Sequence, residues 1–221
     1  MPWRRCLLVS IFISFILITP ETRVSFEHNP NSTASRSFKF NKLPAPAKDD
    51  AGARAKLTLV DGEPDPNSAE LTALTDGLLP TDEDEPAANF FFNAGSSGGR
   101  FRLDLGQAIE IAQVNTYSWH SDTRGPQLYK LYGGDGTDPK FNANPKRGVD
   151  PIVYGWQLIT TVSTLNDGEE GGQYAVSVSN PNGSLGKYRY LLFDCYATEL
   201  NDDWGNTFYS EVDVVIENPK R

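Results

Sequence analysis

The chain has 221 residues and a formal net charge of −9, from 20 basic and 29 acidic side chains. This acidic balance argues against a nucleic-acid binder or a partner of anionic membrane surfaces, because both need clustered Lys and Arg. Four Trp, nine Tyr and twelve Phe exclude disorder of the whole chain, and two Cys are too few for a disulfide scaffold. We therefore expect one folded domain with a single core.

Residues 1–20 have the composition of a secretory signal. Arg4 and Arg5 precede an almost unbroken apolar run at 7–18. A helix of that length spans about 18 Å, less than the roughly 30 Å hydrocarbon core of a bilayer. The sequence at 19–22 has no small-x-small cleavage pattern, so an uncleaved signal anchor is the alternative to a cleaved signal. In both cases we expect a secreted or cell-envelope protein whose only membrane contact is this segment.

Residues 21–56 are predicted to be a flexible linker. Turn and extended signals, such as those at 29–33 and 43–46, occur there without a sustained hydrophobic period. The folded domain is predicted to span 57–217.

From residue 57 onwards the hydrophobic period is two, which is typical of β-strands. The clearest example is Arg100-Phe101-Arg102-Leu103-Asp104-Leu105, which Gly106 follows. The strands predicted in chain order are 57–60, 100–105, 111–119, 127–132, 156–162, 173–179, 188–197 and 208–216. Because no amphipathic helix longer than two turns is predicted, a parallel sheet is disfavoured. We predict an all-β fold, an eight-stranded antiparallel jelly-roll β-sandwich.

Three features within this region have more than one interpretation. The long segment 133–155, which is rich in Gly and Pro, is either functional or disordered. The run Phe90-Phe91-Phe92 is either a sugar-stacking platform or a strand buried on both faces, and we favour the buried strand. Cys195 shares a strand face with Leu191 and Phe193, so we predict a buried structural thiol and not a nucleophile.

The usual signatures of catalysis are absent from the sequence. It contains no GxSxG elbow, no phosphate loop, no HExxH and no paired CxxC. Beyond the predicted linker the only histidine is His120. The acidic runs at 82–85 and 167–170 fall in predicted loops, where such runs are usually solvated. We therefore predict that the protein is not an enzyme, with an acidic-dyad hydrolase as the remaining catalytic alternative.

One set of oxygen-bearing side chains is suited to a hard cation. It contains Asp76, the acidic run 82–85 and Glu211 in the last predicted strand. Calcium takes six to eight oxygens from carboxylates and loop carbonyls, and the first loop of a sandwich often meets its final strand. The alternative is that Asp76 only forms a turn and that Glu211 is an exposed strand residue. The fixed oxygen spacing of an EF-hand is missing.

A second set of side chains is suited to a sugar and follows the third predicted strand. His120 and Arg124 are planar polar groups that fix hydroxyls well, and Trp204 can supply an aromatic face from a neighbouring loop. The alternative is that Trp119 belongs to the core and that Arg124 pairs with Asp122.

Seven short motifs follow one another in order over most of residues 57–217. They are Leu74-Thr75-Asp76-Gly77, Phe101–Gly106, Val114–Tyr117, Arg124–Tyr129, Trp156–Ile159, Tyr188–Leu191 and Ser210–Val214. The ordered set resembles a discoidin domain (coagulation factor 5/8 type C) of the galactose-binding-like fold. The segment 133–155 is longer than this resemblance predicts, and the disulfide that often joins the termini of such domains is impossible here.

The resemblance implies an eight-stranded jelly roll used mostly as a binding module for glycans, lipid head groups or proteins. It also implies a structural calcium ion between the loop carrying Asp76 and the last-strand Glu211. Combined with the residues, it predicts an exported, non-catalytic module that binds a glycan through His120, Arg124 and Trp204. The alternative is a cell-envelope domain for protein–protein interaction or adhesion. Fold-level analogy does not identify the ligand.

Overall fold

The computed structural model describes residues 21–165, 171–199 and 206–217, so the predicted signal at 1–20 lies outside the described residues. The strands are β1 (Arg23–Pro30), β2 (Lys56–Asp61), β3 (Gly98–His120), β4 (Leu128–Gly134), β5 (Gln157–Ser163), β6 (Gly172–Ser179), β7 (Gly186–Tyr196) and β8 (Tyr209–Ile216). The helices in these ranges are short 3₁₀ turns at Gly52–Arg54, Leu71–Thr75, Pro86–Ala88 and Pro151–Tyr154. None of the helices in the described ranges is long and apolar enough to cross a membrane.

The strands form two antiparallel layers that share β3. The first layer has the order β1-β6-β3-β8, and the second has the order β2-β3-β7-β4-β5. Inward side chains of both layers form one continuous apolar core. The predicted all-β, eight-stranded antiparallel sandwich is confirmed.

The sequence pattern predicted two strands where the structure has one long strand, β3. Its 23 residues run through the glycine that was expected to end the first strand. Gly106 has φ of +81°, and the register against β7 shifts between Asp104 and Ile109. A glycine adopts positive φ without steric penalty, so the backbone bends while its ladder continues. The bend carries β3 from the second layer into the first.

Aromatic stacking and one thiol characterise the core between the layers. Phe101 of β3 stacks on Phe193 of β7, with ring centroids 4.8 Å apart and planes within 12°.

Cys195, two residues further along β7, is a free cysteine that is only 1% exposed. Burial raises the pKa of its thiol, because the interior disfavours the thiolate. The prediction of a buried structural thiol is confirmed.

Part of the segment predicted as a linker is structured. Arg23–Pro30 pairs with β6 along its whole length and forms the outer edge of the first layer. The following segment, 31–50, which we call the strap, then crosses the outer face of that layer. Leu43 is buried there, and the Tyr117 hydroxyl donates to the carbonyl of Pro44 at 2.7 Å. Local sequence does not show this, because the strand partner of β1 lies far away in the chain.

The segment 133–155, which we call the insertion, packs on the outer face of the second layer. Phe141 stacks on Tyr190 at 5.1 Å and contacts Trp156 at the same centroid distance, so a small second core forms there. Arg100 Nη1 donates to three carbonyls of the insertion, those of Pro145, Lys146 and Val149, at 2.9–3.1 Å. The insertion is therefore held against the sheet by packing and by hydrogen bonds.

Candidate functional site

A buried aromatic pair forms the floor of a site at one end of the sandwich. Phe208, directly before β8, is fully buried and stacks on Phe91 with ring centroids 4.0 Å apart. The N–H of Phe208 donates to the carbonyl of Arg124 at 3.0 Å, which ties the loop after β3 to the start of β8. Phe90, Phe91 and Phe92 are all buried, as the favoured interpretation of that run predicted. Isolated bridges, and not a regular strand, hold Phe90 and Phe92 in place.

His120, the last residue of β3, lies on this floor. Its ring is 4.7 Å from that of Phe208 in an edge-on arrangement. Nδ1 accepts the N–H of Asp122 at 3.0 Å, and Nε2 is 4.0 Å from Asp84 Oδ1. Burial lowers the pKa of His120, and the charge of Arg124 lowers it further, while Asp84 and Asp122 oppose this change. The imidazole is therefore neutral at pH 7, with its proton on Nε2 because Nδ1 is the acceptor.

Arg124 reaches the same ring from the loop after β3. Its guanidinium carbon is 5.0 Å from the centroid of Phe208, which is within cation–π range. The structure thus brings together two of the residues predicted to bind a ligand, His120 and Arg124, over one aromatic ring. The predicted third residue, Trp204, lies outside the described residues. Trp119 is buried, as the core interpretation of that residue predicted.

We call this arrangement the loop-end site; it consists of His120, Arg124, Asp84, Phe91 and Phe208. Hydrogen-bond donors and one acceptor lie at its rim. His120 Nε2–H and the Arg124 guanidinium are donors, and the exposed Asp84 carboxylate is an acceptor. The sequence analysis placed Asp84 in the cation set, with the rest of 82–85, and gave a sugar-stacking platform only as the less favoured interpretation of Phe90–Phe92; it did not name Phe208. Alternation of side chains within strands carries no signal for a contact between residues as far apart in the chain as Phe91 and Phe208.

The predicted metal residues Asp76 and Glu211 lie close to each other near the start of β8. Glu211 is fully buried on β8, and its Oε2 accepts the N–H of Gly77 at 2.8 Å. Asp76 is exposed, and its Oδ1 accepts the N–H of Leu78 at 2.9 Å. Thus Glu211 is not the exposed strand residue of the alternative interpretation, whereas Asp76 does form a turn.

The surroundings of Glu211 are acidic. Burial raises its pKa to about 8, and the negative charges of Asp213, Asp76 and Asp50 contribute to this increase. Asp213 is also buried, and its pKa is raised by burial and by the adjacent Asp50. In the described part of the chain, none of the ion pairs involves these four carboxylates.

The donor set at Glu211 is compatible with a hard cation. Glu211 Oε1 is buried without a hydrogen-bond partner, which leaves one carboxylate oxygen available. Within the described ranges, no group of three or more His, Cys, Asp and Glu side chains is arranged to hold a metal ion. A cation at Glu211 and Asp76 would therefore need loop carbonyl oxygens for most of its ligands, as calcium sites often have.

Several solved structures are similar to this chain in fold. No family model and no curated protein matches the chain. The lectin domain of lectinolysin, solved with Lewis B antigen, is 13% identical with a TM-score of 0.49, covering 77% of this chain and 98% of that domain. A CBM32 module from Clostridium perfringens, solved with GalNAc-β-1,3-galactose, is 15% identical with a TM-score of 0.45, covering 75% and 97%.

The crystal structure of SpGH29 is similar over a smaller share of its own length. It is 13% identical with a TM-score of 0.47, and the match covers 78% of this chain but only 29% of SpGH29. Several of these structural neighbours are carbohydrate-binding modules and lectin domains.

Proposed function

We propose that this protein is an exported, non-catalytic carbohydrate-binding module whose ligand occupies the loop-end site. The observation that carries the proposal is the convergence of His120 and Arg124 on the ring of Phe208. Polar groups that converge over an apolar floor are the usual composition of a small-ligand site.

The chemistry of the rim suits sugar hydroxyls. His120 Nε2–H donates to one hydroxyl oxygen, the planar fork of Arg124 donates to a neighbouring pair, and Asp84 accepts a hydroxyl proton. Trp204 is proposed to stack on the C–H face of the same sugar. A site this small binds one or two sugar units weakly, with Kd of roughly 0.1–1 mM.

We further propose a structural calcium ion held by Asp76 and Glu211. When bound, calcium would supply positive charge that offsets the repulsion between Glu211 and the neighbouring carboxylates. Its role would be to fix the loop carrying Asp76 against β8 and not to contact the glycan.

Two structural observations argue against the alternative of an acidic-dyad hydrolase. The close carboxylates, Asp50 and Asp213, already accept backbone N–H groups from Ala53, Val214 and Ala47. Asp50 is the last residue of the strap and Asp213 accepts the N–H of Ala47 in the strap, so these carboxylates fasten the strap to β8.

The proposal is tested by glycan-array screening followed by calorimetric titration of the strongest ligand. His120→Ala and Arg124→Ala should each weaken binding by about tenfold or more, the equivalent of ~1.4 kcal/mol. Lys187→Ala is the control variant. This exposed lysine belongs to β7 and pairs with Glu110 of β3, close to the bend of that strand. Unchanged affinity in both loop-end variants, or no glycan binding at all, would contradict the proposal.

The alternative of a protein-interaction domain is supported by the exposed edge of β1. Val24 and Phe26 are 36% and 40% exposed there, although they share a face with core residues of β6. An edge strand of this kind can pair with another chain. Glycan binding that is unaffected by Phe26→Ser, combined with no affinity for envelope proteins, would exclude this alternative.

A further inference from the structure

A groove lies on the outer face of the second layer, between the sheet and the insertion. We call it the insertion groove; it has a volume of about 350 Å³ and is open to solvent. That volume is at the lower end of the roughly 300–1,000 Å³ of small-ligand sites. The strand residues that line it are Arg100, Lys130, Tyr132, Leu158, Asp194 and Tyr196. The insertion supplies the opposite wall, 148–152.

Exposed apolar side chains line both sides of the groove. Ile152 and Leu158 are 51% and 44% exposed, and Val149 is 37% exposed. Seven other large apolar side chains of the described residues are exposed, but these three lie around one groove and form a local apolar patch there.

The floor of the groove is a fixed network of charged groups. The strand register places Arg100, Asp194 and Lys130 side by side across β3, β7 and β4. Asp194 Oδ2 accepts from Arg100 Nη2 and from the Tyr196 hydroxyl, both at 2.9 Å. The same guanidinium also fastens the insertion, so both walls of the groove are held in place before any ligand arrives.

Three polar groups of the groove keep hydrogen-bonding capacity for a ligand. In the described part of the chain the Tyr132 hydroxyl makes no hydrogen bond and Lys130 makes no ion pair; the ammonium of Lys130 lies 5.9 Å from the Tyr196 ring. Asp150 uses Oδ1 for the N–H of Ile152, which leaves Oδ2 as an acceptor. The carboxylates of Asp194 and Asp150 lie near enough to Tyr132 to raise the pKa of its phenol, in addition to burial.

The charge balance of the groove favours a neutral ligand. Arg100 and Arg147 both contact the Asp194 carboxylate, at 2.9 and 3.6 Å, and Lys130 and Asp150, which have opposite charges, both line the groove. An ionic ligand would gain little there, whereas a ligand with an apolar face and several hydroxyls would contact the apolar patch and the three polar groups.

We propose that the insertion groove is a second binding site of this chain, for a neutral sugar unit, separate from the loop-end site. The inference rests on the proposed function, because it assigns a second position to the same class of ligand. Two sites on one chain allow one glycan chain, or two neighbouring chains, to be held at once, which increases avidity.

The test follows ¹⁵N- and methyl-labelled full chain by NMR during titration with galactose, N-acetylgalactosamine, GalNAc-β-1,3-galactose and galacturonate. Signals of Ile152 and Leu158 report on the groove, and those of His120 and Phe208 report on the loop-end site. We expect both sets to shift with the neutral sugars, and the groove set to shift less with galacturonate.

Two double variants separate the sites. His120→Ala/Arg124→Ala should abolish the loop-end shifts and leave the groove shifts, whereas Tyr132→Phe/Lys130→Met should weaken groove binding at least tenfold and leave the loop-end shifts. An unchanged thermal melt shows that each variant is folded. Groove shifts that disappear in the loop-end variant, or that are stronger with galacturonate, would overturn the inference.

The outcomes also distinguish this inference from the proposed function. Shifts at the loop-end site alone would overturn the second site and support the first. Shifts in the groove alone would support the second site and overturn the loop-end assignment. Shifts at neither site with any of the four sugars would overturn both, and Ile152 and Leu158 would then have to be tested with apolar peptides.

Discussion

At the scale of single residues, the neighbours of a side chain decide its chemistry. His120 is kept neutral by burial and by Arg124, and the N–H of Asp122 fixes which ring nitrogen carries the proton. Sequence analysis identified His120 and Arg124 because planar polar residues follow a strand there. It did not name Phe208 and it assigned Asp84 to the cation set, since the contacts that bring both of them to His120 form only when distant segments meet.

Glycan binding should weaken on acidification because of His120. Its pKa lies below the ordinary value near 6.5, so the affinity should be constant from pH 8 to about 6.5 and fall at lower pH. Protonation puts a hydrogen on Nδ1, so this nitrogen can no longer accept the hydrogen bond from the N–H of Asp122. Calorimetry between pH 5 and 8 measures this effect, and His120→Gln, which does not titrate, should give a flat profile. An equally steep decline in that variant would assign the effect to another group.

The thiol of Cys195 should be unreactive in the native protein. It is 1% exposed and burial raises its pKa, so the reactive thiolate is both inaccessible and rare. With Cys6→Ala removing the other thiol, labelling by a disulfide reagent should proceed only at the rate of unfolding. Fast labelling without denaturant would show that the core around β7 opens locally.

At the scale of elements, strands were predictable wherever alternation continued for several residues. The alternation in 100–105 predicted the first half of β3 correctly, but Gly106 was interpreted as an end because a glycine often stops a strand. β1 was missed because its sequence resembles a turn-rich linker and its stability depends on pairing with β6. The position of the insertion was unpredictable for a similar reason, since Arg100 and the carbonyls it binds lie more than forty residues apart.

Removing the guanidinium of Arg100 should release the insertion. Arg100→Met leaves Asp194 buried without its main partner and frees three carbonyls, so the free energy of unfolding should fall by about 3–5 kcal/mol. Hydrogen exchange at 145–149 should accelerate more than exchange in β6. Arg147→Met, whose guanidinium is more exposed and is 3.6 Å from the same carboxylate, is the matched control and should cost less. No loss of stability in Arg100→Met, or no faster exchange at 145–149, would mean that Arg100 does not anchor the insertion.

At the scale of the whole molecule, the negative charge is distributed unevenly. Several acidic side chains are solvated at the surface, but Glu211 and Asp213 are buried close to Asp50 and Asp76. In the metal-free chain this arrangement opposes ionisation, so the net charge carried near neutral pH is less negative than the formal −9.

The stability of the metal-free protein should therefore fall as the pH rises. The pKa of Glu211 is about 8 when folded and near 4.5 when unfolded, so the folded state retains a proton that the unfolded state has lost. The melting temperature should be highest below pH 4.5, as far as this group is concerned, and should decline towards pH 8. Glu211→Gln should flatten that decline.

Calcium should restore the stability lost at high pH. If it binds at Asp76 and Glu211, it competes with the proton, so adding calcium should raise the melting temperature more at pH 8 than at pH 5. Differential scanning calorimetry with calcium and with chelator measures this at both pH values. No response to calcium at pH 8, or the same response in Glu211→Gln, would exclude a metal at these residues.

The pairing of β1 has a consequence for the order of folding. Arg23 pairs with Ser179 and Pro30 with Gly172, so β1 must wait during synthesis for a partner about 150 residues later. Such non-local pairing is slow, because a long loop has to close before any contact is gained. During that time Val24 and Phe26 have no sheet to join, and β1 is exposed to chaperones, proteases and neighbouring chains. We expect its docking to be the last step of folding, so refolding should show a slow phase that Phe26→Asp removes and that a prolyl isomerase does not accelerate.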